Sequence, residues 1–352
     1  MAFLHNKFVS ITGISACVPS AKKVNTENTN FAANDIQAFV KNVGVEEYRV
    51  AGPDVCTSDL CVAAAEKLMD EMHIDRNDIG IIVFVSQTPD YHFLPNTACI
   101  LQDRLQLSQE TLAFDVPLGC SGYVYGLNII AAYLSSGQIK KGLLLVGDTG
   151  SKTVNAKDKS AAMLFGDAGA ATILEYNEKA EGIHFHMATD GSGYKAIIIP
   201  DGGFRKPFSA ASLVESTSEE GLTRTPRNLH LEGLDVFSFG ITEAPKTVKK
   251  LYEKLQIASD DVDYAIFHQA NKMMNEKIRK KLSLPEEKVP YSLQKFGNTS
   301  SASIPITIVT ELREAIARHS SKVILCGFGV GLSWGTAYTT LDHITVPELI
   351  EY

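Results

Sequence analysis

The chain has 352 residues, 45% of them hydrophobic, a formal net charge of −8 and six cysteines. This length allows two domains or one large double domain, and no apolar run is long enough to span a bilayer. The acidic charge argues against nucleic acid as the main ligand, and scattered cysteines without a Cys-x-x-Cys pair favour a reducing cytoplasm.

Segments rich in β-branched residues alternate with helical segments, which predicts an α/β protein with partly parallel strands. Near the N-terminus, Val9, Ile11 and Gly13 alternate with polar residues, as in a strand rather than a signal peptide. Apolar residues at helical spacing then predict an early helix; they are Leu60, Ala64, Leu68 and Met72. The apolar run Asp78–Phe84 predicts a strand buried on both faces.

The stretch Leu118–Gly122 lies between a predicted buried strand, 112–116, and apolar residues at helical spacing, 124–134. Cys120 therefore occupies the turn into a helix, where free N–H groups and the helix dipole favour a thiolate over a thiol. Its small neighbours let the carbonyl group of another molecule approach. Cys120 is a candidate nucleophile, with a buried structural cysteine as the alternative.

Three pairs of segments recur in the same order, about 180 residues apart. They are Asp78–Phe84 with Asp261–Phe267, Leu143–Gly147 with Val323–Gly327, and Gly119-Cys120 with Gly297-Asn298. We interpret them as duplicated halves, 1–176 and 177–352, with an irregular insertion at 191–227. Packed about a pseudo-twofold axis, the halves would bring Cys120 and Asn298 face to face in a shared site.

Two further polar residues precede predicted helices in the second half. His268 follows a strand and is a candidate for acid–base work or hydrogen bonding, or else a satisfied core histidine. Asn298 precedes a helix with Ile304, Ile308, Leu312 and Ile316 on one face, and its alternative role is a plain N-cap. The glycine loop 327–335 is followed by a strand, which argues against a dinucleotide loop and allows an N–H group to face an oxyanion.

Four motifs resemble the signatures of the β-ketoacyl-acyl-carrier-protein synthase III family. They are Asp115–Gly122, His268–Asn271, Gly297–Ser303 and Gly329–Gly335. Phe165–Ala170 resembles the glycine-rich turn that closes the first half in that family. The resemblance covers essentially the whole chain and implies an α/β thiolase-like fold, five-layered αβαβα, made of two duplicated α/β halves, usually as a homodimer.

The resemblance also implies a decarboxylative Claisen condensation. Cys120 would be acylated by an acyl-CoA or acyl-carrier-protein primer, and His268 and Asn298 would hold the thioester carbonyl of malonyl-acyl carrier protein as CO2 leaves. The N–H groups of Cys120 and Gly331 would form the oxyanion hole, and the product is a 3-oxoacyl-acyl carrier protein. A thiol suits this role because it both attacks and leaves well. No cofactor is expected beyond the phosphopantetheine arm of the substrates.

The distribution of charged residues indicates which kind of partner the protein binds. The predicted helix after His268 carries Lys272, Lys277, Arg279, Lys280 and Lys281, with only Glu276 opposing them. In an acidic protein such a helix favours docking of an acidic partner such as acyl carrier protein, with a solvated helix face as the alternative. Lys272, Lys280 and Lys281 are the predicted carrier contacts.

One departure from the family concerns the primer. Members primed by coenzyme A carry a Trp-Ile-x-x-Arg-Thr-Gly-Ile segment, and this chain has Ala38–Val45 without the tryptophan or the arginine. Phe39 and Lys41 are partial substitutes. We therefore predict a specialised synthase primed by an acyl-carrier-protein thioester or a longer acyl group. The segment Tyr91–Pro95, which includes Leu94, is predicted to shape the acyl pocket across a dimer interface.

Two other classes share part of this pattern. The order Cys120, His268, Asn298 is also that of papain-like cysteine hydrolases, but Cys120 lacks their flanking Cys-Gly-x-Cys-aromatic run. A non-catalytic partner subunit or acyl-carrier-binding module of the same fold is the second alternative, and retention of the three residues argues against it. His184 and His186 share a strand face without a third ligand, so no metal is expected.

Overall fold

The computed structural model describes residues 2–352. Its strands are, in chain order, β1 (Ala2–Asn6), β2 (Val9–Val18), β3 (Lys22–Val24), β4 (Glu47–Arg49), β5 (Ile79–Val85), β6 (Leu112–Val116), β7 (Lys141–Asp148), β8 (Ala168–Tyr176), β9 (Ile183–Thr189), β10 (Ile197–Ile198), β11 (Ser216–Thr217), β12 (Thr223–Arg224), β13 (His230–Leu231), β14 (Tyr264–Phe267), β15 (Ser321–Gly329), β16 (Ser333–Leu341) and β17 (Ile350–Glu351).

The α-helices are α1 (Ala33–Val43), α2 (Thr57–Glu71), α3 (Thr97–Arg104), α4 (Gly122–Leu134), α5 (Gly233–Leu255), α6 (Lys272–Lys281), α7 (Leu293–Phe296), α8 (Ser303–Thr307) and α9 (Arg313–Arg318). A π-helical turn, Ile308–Leu312, joins α8 to α9. The four apolar residues predicted to share a face of this segment are all buried. Within residues 2–352, no helix combines the length and apolar character needed to cross a bilayer.

Two large sheets repeat one topology. The first has the order β17-β2-β8-β7-β5-β6 and the second the order β1-β9-β16-β15-β14. In each, a parallel pair (β5 with β7, β14 with β15) is followed by two antiparallel neighbours (β8 and β2, β16 and β9). The sequence repeats at β5 and β14 and at β7 and β15 therefore occupy equivalent places.

The terminal strands are exchanged between the two sheets. The first strand, β1, pairs with β9, and the last, β17, pairs with β2. The predicted boundary at residue 176 therefore separates the central strands of the sheets but not their edges. Edge strands left unpaired are open to association with other chains, and here each half covers an edge of the other.

Helices cover the sheets in layers, as the buried clusters show. Residues of α4 and α8 pack between the two sheets in one central core. On the outer face of the first sheet lie α2 and α3, and on that of the second lie α5 and α6. The order is therefore helix, sheet, helix, sheet, helix, which is the predicted αβαβα arrangement of the thiolase-like fold.

The predicted insertion, 191–227, contains only 3-10 turns and two-residue strands. Arg224 fixes it to the first half, because its Nε lies 2.6 Å from Asp158 Oδ2, and both side chains are buried. The same guanidinium group donates to Ser160 Oγ and to the Leu231 carbonyl. The insertion leads into β13 and then into α5. This strand and the first turn of the helix form part of the wall of the site.

Candidate active site

Cys120, His268 and Asn298 line one cavity of about 910 Å³ between the two halves. Cys120 comes from the turn before α4, His268 from the end of β14, and Asn298 from the loop that leads to α8. The two sequence halves thus contribute to a common site, as the repeat predicts. Cavities of about 300–1,000 Å³ are typical of small-molecule sites, and this one lies near the upper end.

Cys120 lies between the end of β6 and the first turn of α4, with 9% of its surface exposed. Burial raises the pKa of its thiol to about 12, although its own backbone N–H and the Ser300 hydroxyl act in the opposite direction. Desolvation therefore favours the thiol, whereas the N–H group at the helix start acts in the expected direction and favours the thiolate.

Hydrogen bonds hold both the backbone and the ring of His268. Its backbone N–H donates to the Cys326 carbonyl, and its own carbonyl accepts from Asn275 Nδ2. The ring atom Nδ1 lies 2.8 Å from Ser303 Oγ. Burial lowers the pKa of the imidazole to about 3. The ring is therefore neutral at physiological pH and offers one N–H donor.

Asn298 is oriented by its own loop. Its Oδ1 accepts a hydrogen bond of 2.9 Å from the Ser300 backbone N–H, which leaves Nδ2 as the donor of the side chain. The backbone of Asn298 bonds to Leu164 and Gly166 of the first half, next to the glycine-rich turn. The alternative role as an N-cap of α8 is not observed, because the helix begins five residues later.

Two residues that sequence analysis did not select also line the cavity. Ser300 Oγ is 3.9 Å from Cys120 Sγ. Asp148, the last residue of β7, is buried and lines the same cavity. In the sequence, the signal for Asp148 is a carboxylate at the end of a mostly apolar strand.

The glycine loop lies directly against the nucleophile. A Cβ atom added at Gly329 would lie 2.7 Å from Cys120 Cβ and 3.1 Å from its sulfur. Gly329 and Val330 line the cavity, whereas Gly331 lies just beyond its lining. Ser333 Oγ donates to the Val330 carbonyl and lies 2.7 Å from Ser121 Oγ, which ties the loop to the start of α4.

The remaining walls are mostly apolar. They include Phe39, Val43, Tyr91, Phe93, Ile197, Ile198, Ile199, Leu231, Val236, Phe237, Met274 and Phe328. Of the predicted primer contacts, Phe39 lines the cavity, whereas Lys41 is exposed and outside its lining. Leu94 is 82% exposed and is also outside the lining, although its neighbours in the predicted Tyr91–Pro95 segment contribute to it.

The basic surface of α6 is smaller than the sequence indicated. Lys272, Lys280 and Lys281 are exposed. Arg279 is buried and forms salt bridges with Glu276 and Glu286, so it is removed from the predicted basic face. A guanidinium group surrounded by two carboxylates is a structural element of the protein and leaves little positive charge for a partner.

The two histidines on β9 have local partners. His184 stacks on His5 at 3.7 Å between ring centroids, and His186 Nδ1 lies 2.6 Å from Thr247 Oγ1. Residues 2–352 contain no group of three His, Cys, Asp or Glu side chains placed to hold a metal ion.

A buried thiol, a neutral imidazole and a carboxamide thus meet where two duplicated α/β halves join. These groups can provide a nucleophile and two uncharged N–H donors in a cavity with apolar walls. That combination of fold and site defines the class as condensing enzymes of the thiolase-like fold.

Comparisons with known proteins narrow this class. Models of the N- and C-terminal parts of 3-oxoacyl-[acyl-carrier-protein] synthase III match residues 114–191 and 252–341. The β-ketoacyl-[acyl-carrier-protein] synthase III of Clostridioides difficile strain 630 is 33% identical, over 94% of this chain and 98% of its own.

Solved structures agree with these matches. A 3-oxoacyl-(acyl-carrier protein) synthase from Burkholderia xenovorans LB400 has a TM-score of 0.93 and 37% identity, covering 100% of this chain and 99% of its own. The synthase III of Pseudomonas aeruginosa PAO1 has a TM-score of 0.82 and 25% identity, covering 97% and 100%. The chain belongs to the 3-oxoacyl-[acyl-carrier-protein] synthase III family and is an acyltransferase. A papain-like hydrolase and a non-catalytic module are thereby excluded.

Proposed function

We propose that this protein transfers an acyl group to Cys120 and then condenses it with malonyl-acyl carrier protein, releasing CO2 and a 3-oxoacyl-acyl carrier protein. The observation that carries this assignment is the meeting of Cys120, His268 and Asn298 in one cavity. In the first half-reaction the Cys120 sulfur attacks the thioester carbonyl of the primer. The backbone N–H groups of Cys120 and Gly331 are the proposed donors to the resulting oxyanion.

In the second half-reaction, two uncharged donors hold the malonyl thioester. In this proposal the Ser303 hydroxyl, whose Oγ lies 2.8 Å from Nδ1 of His268, donates to that nitrogen, so that Nε2 carries the proton and faces the substrate carbonyl. Asn298 Nδ2 is the second donor, because its Oδ1 is occupied by the Ser300 N–H. Loss of CO2 then leaves an enolate whose negative oxygen these two N–H groups stabilise. The enolate carbon attacks the acyl-Cys120 carbonyl, and the cysteine sulfur leaves.

The cavity supports a primer larger than acetyl. Its volume of about 910 Å³, part of which the phosphopantetheine arm would fill, and its aromatic and aliphatic walls leave room for a medium or long acyl chain. The chain lacks the tryptophan that stacks on adenine in family members primed by coenzyme A, a contact worth about 1–3 kcal/mol if it resembles other base–aromatic stacking. We therefore propose an acyl-carrier-protein thioester, or a longer acyl group, as the primer.

We propose that the carrier protein docks at the cavity mouth beside α6. Lys277 Nζ lies 5.0 Å from the ring centroid of Phe237, which itself lines the cavity. Exposed Lys272 lies on the same helix, next to Met273 and Met274, and its aliphatic stem contacts α1 at Gly44. An acidic carrier bound to Lys272, Lys277, Lys280 and Lys281 would direct its phosphopantetheine arm into the cavity.

Exposed apolar side chains and free cysteines support our proposals for the quaternary state and the location. We propose a homodimer, since Leu94 and Phe204, 82% and 85% exposed, are apolar side chains that a second copy would cover. All six cysteines are free, as a reducing cytoplasm keeps them. Light scattering that gives the mass of one chain at micromolar concentration would contradict the dimer.

The test measures both half-reactions with octanoyl- and acetyl-acyl carrier protein, octanoyl- and acetyl-coenzyme A, and malonyl-acyl carrier protein. Cys120→Ala is expected to abolish condensation and keep decarboxylation, whereas Asn298→Ala and His268→Ala are expected to slow decarboxylation by about 100-fold or more. Preference for the acetyl-coenzyme A primer would contradict the primer assignment. Full decarboxylation by both donor variants would contradict the role of the site.

A further inference from the structure

Acylation of Cys120 requires an acceptor for the thiol proton. The pKa of this thiol is raised to about 12 by burial. His268 is a poor acceptor, because burial lowers its pKa to about 3. Its Nε2 is also needed as a donor in the second half-reaction. The acceptor therefore has to be another group near the sulfur.

Asp148 is a buried carboxylate with one oxygen still available. Its Oδ1 accepts hydrogen bonds from the Ser86 hydroxyl, the Gln87 N–H, and the N–H and hydroxyl of Thr88. Its Oδ2 is buried and has no hydrogen-bond partner. A buried carboxylate oxygen without a donor is costly, which makes it a good acceptor for a proton delivered within the site.

Ser300 lies between this carboxylate and the nucleophile. Its hydroxyl is 3.9 Å from Cys120 Sγ and is close enough to Asp148 to lower the pKa of that carboxyl group. Cys120, Asp148 and Ser300 all line the same cavity, and the charge of Asp148 adds to burial in raising the pKa of Cys120.

The backbone of Ser300 is held in an uncommon conformation. Its φ is 51°, in the left-handed region that residues other than glycine seldom occupy, and such conformations concentrate at functional sites. The hydrogen bond from its N–H to Asn298 Oδ1 maintains this geometry. Gly119 makes room for the hydroxyl, since a Cβ there would lie 3.3 Å from Ser300 Oγ.

We propose that Ser300 and Asp148 form a proton relay that serves Cys120 during acyl transfer. As sulfur bonds to the acyl carbon, the thiol proton passes to Ser300 Oγ, and the hydroxyl proton of Ser300 passes to Asp148 Oδ2. The carbon–sulfur bond of the donor thioester breaks, Asp148 returns its proton to Ser300 Oγ, and the Ser300 hydroxyl protonates the sulfur of the leaving thiolate. Ser300 acts as a catalytic residue and Asp148 as a positioning residue, and no further reactant is needed.

The proposed relay makes the rate of Cys120 acylation depend on pH. Burial raises the pKa of Asp148 to about 6, so the carboxylate is the acceptor above this pH and is already protonated below it. The other titratable groups around this pair are Cys61 of α2, whose pKa is raised by burial and further by the charge of Asp148, and His268, which lines the same cavity and whose pKa is lowered by burial. Both thiols and the imidazole are therefore neutral above pH 6. The Ser86–Thr88 loop and Ser300 contribute only hydroxyl and N–H groups.

The test compares S300A and D148N with S301A. Asn at 148 keeps an oxygen for the Ser86–Thr88 loop and loses the charge, and Ser301 supplies the matched control, since its buried hydroxyl has no partner. Modification of Cys120 is followed by intact mass with octanoyl-acyl carrier protein and, separately, with iodoacetamide. Modification of Cys120 should be slower by about 100-fold or more in both relay variants and by less than about threefold in S301A. The rate of malonyl-acyl carrier protein decarboxylation should change little in all three variants.

The pH profile separates a relay from a structural role. In the wild type, the rate of Cys120 modification should rise up to about pH 6 and then level off, and D148N should lose this rise. Unchanged modification rates in folded S300A would overturn the relay, and so would a D148N protein that keeps the rise. If D148N fails to fold, S300A decides alone. The inference rests on the acylation proposed above: a wild type that no thioester acylates contradicts that function, whereas rapid acylation of S300A contradicts only the relay.

Discussion

The reactivity of Cys120 depends on glycine at position 329, which places no side chain beside the sulfur. Gly329 faces the sulfur so closely that a single added methyl group would lie 3.1 Å from it. This distance is shorter than an ordinary carbon–sulfur contact, so an added methyl group would force the sulfur or the loop to shift. Glycine at this position therefore keeps the space beside the sulfur open.

We predict that Gly329→Ala slows acylation of Cys120 by about 100-fold, because a displacement of the nucleophile of about 1 Å is enough for an effect of this size. Gly52→Ala is the matched control, since a Cβ at Gly52 meets no atom within 4 Å. Intact-mass kinetics with the primer thioester measure both variants. Equal rates in the two variants would show that the loop tolerates the methyl group and that open space beside the sulfur is not needed for acylation.

His268 links the site to the stability of the fold. Its pKa is lowered from 6.5 to about 3 in the folded protein, so the unfolded chain binds the extra proton first as the pH falls. The stability that His268 contributes is therefore complete above pH 6.5 and is lost progressively between pH 6.5 and 3.

For His268→Gln, which cannot titrate, we predict that the free energy of unfolding falls less between pH 8 and 5 than in the wild type, by about 2 kcal/mol. Urea denaturation at the two pH values gives this difference directly. A parallel loss of stability in both proteins would contradict a neutral, desolvated imidazole.

The sequence identified the reactive side chains but not their electrostatic surroundings. Cys120, His268 and Asn298 stand at strand ends and helix starts, where local pattern is informative. The raised pKa of Cys120 and the position of Asp148 beside Ser300 depend on tertiary burial. Residues 148 and 300 are brought together by the packing of the two halves, which leaves no local signal.

At the scale of elements, the insertion 191–227 depends on the buried pair of Arg224 and Asp158. We predict that Arg224→Met lowers the free energy of unfolding by about 3–5 kcal/mol, because it leaves Asp158 as an unpaired buried charge. The affinity for the primer should fall as well, since Ile197–Ile199 and Leu231 of the cavity wall flank this region. Thermal and urea unfolding, with primer titration, measure the two effects.

The matched control for this prediction is Arg318→Met. Arg318 pairs with Glu314 at 3.5 Å, but their side chains are 71% and 77% exposed. Its removal should change stability by less than about 1 kcal/mol. The double variant Asp158→Asn with Arg224→Met should recover part of the loss. Equal effects of the two arginine substitutions would mean that the buried pair does not hold the insertion.

Element types followed the sequence patterns, while several details did not. The helix after Asn298 was predicted from apolar spacing, yet its π-helical turn at Ile308–Leu312 was not, because that spacing does not distinguish one helical hydrogen-bond pattern from another. Arg279 was predicted as part of a basic face and is instead enclosed by Glu276 and Glu286. Glu286 lies on a later segment, so its proximity is a tertiary feature.

For the whole molecule, the two halves share a core as well as a site. The central cluster contains residues of both sheets and of the helices between them, and the exchanged strands β1 and β17 join the halves at their edges. We predict that chains 1–176 and 177–352, expressed separately, do not unfold cooperatively, because each exposes half of the shared core. Co-expression is expected to restore part of the fold. A cooperative transition in either half alone would contradict this prediction.

The duplication was visible in the sequence because equivalent buried strands keep similar residues, as in β7 and β15. The strand exchange was not visible. Residues 2–6 and 350–351 are short edge strands, and their own pattern does not specify which sheet they join.

The central claim is that Cys120 carries the acyl group between two half-reactions, and intact-mass analysis of the protein tests it most directly. Incubation with octanoyl-acyl carrier protein should add one octanoyl group to the wild type and none to Cys120→Ala. Later addition of malonyl-acyl carrier protein should remove that group and yield 3-oxodecanoyl-acyl carrier protein. An acyl group on another residue, or an acyl-Cys120 that malonyl-acyl carrier protein does not discharge, would contradict the account.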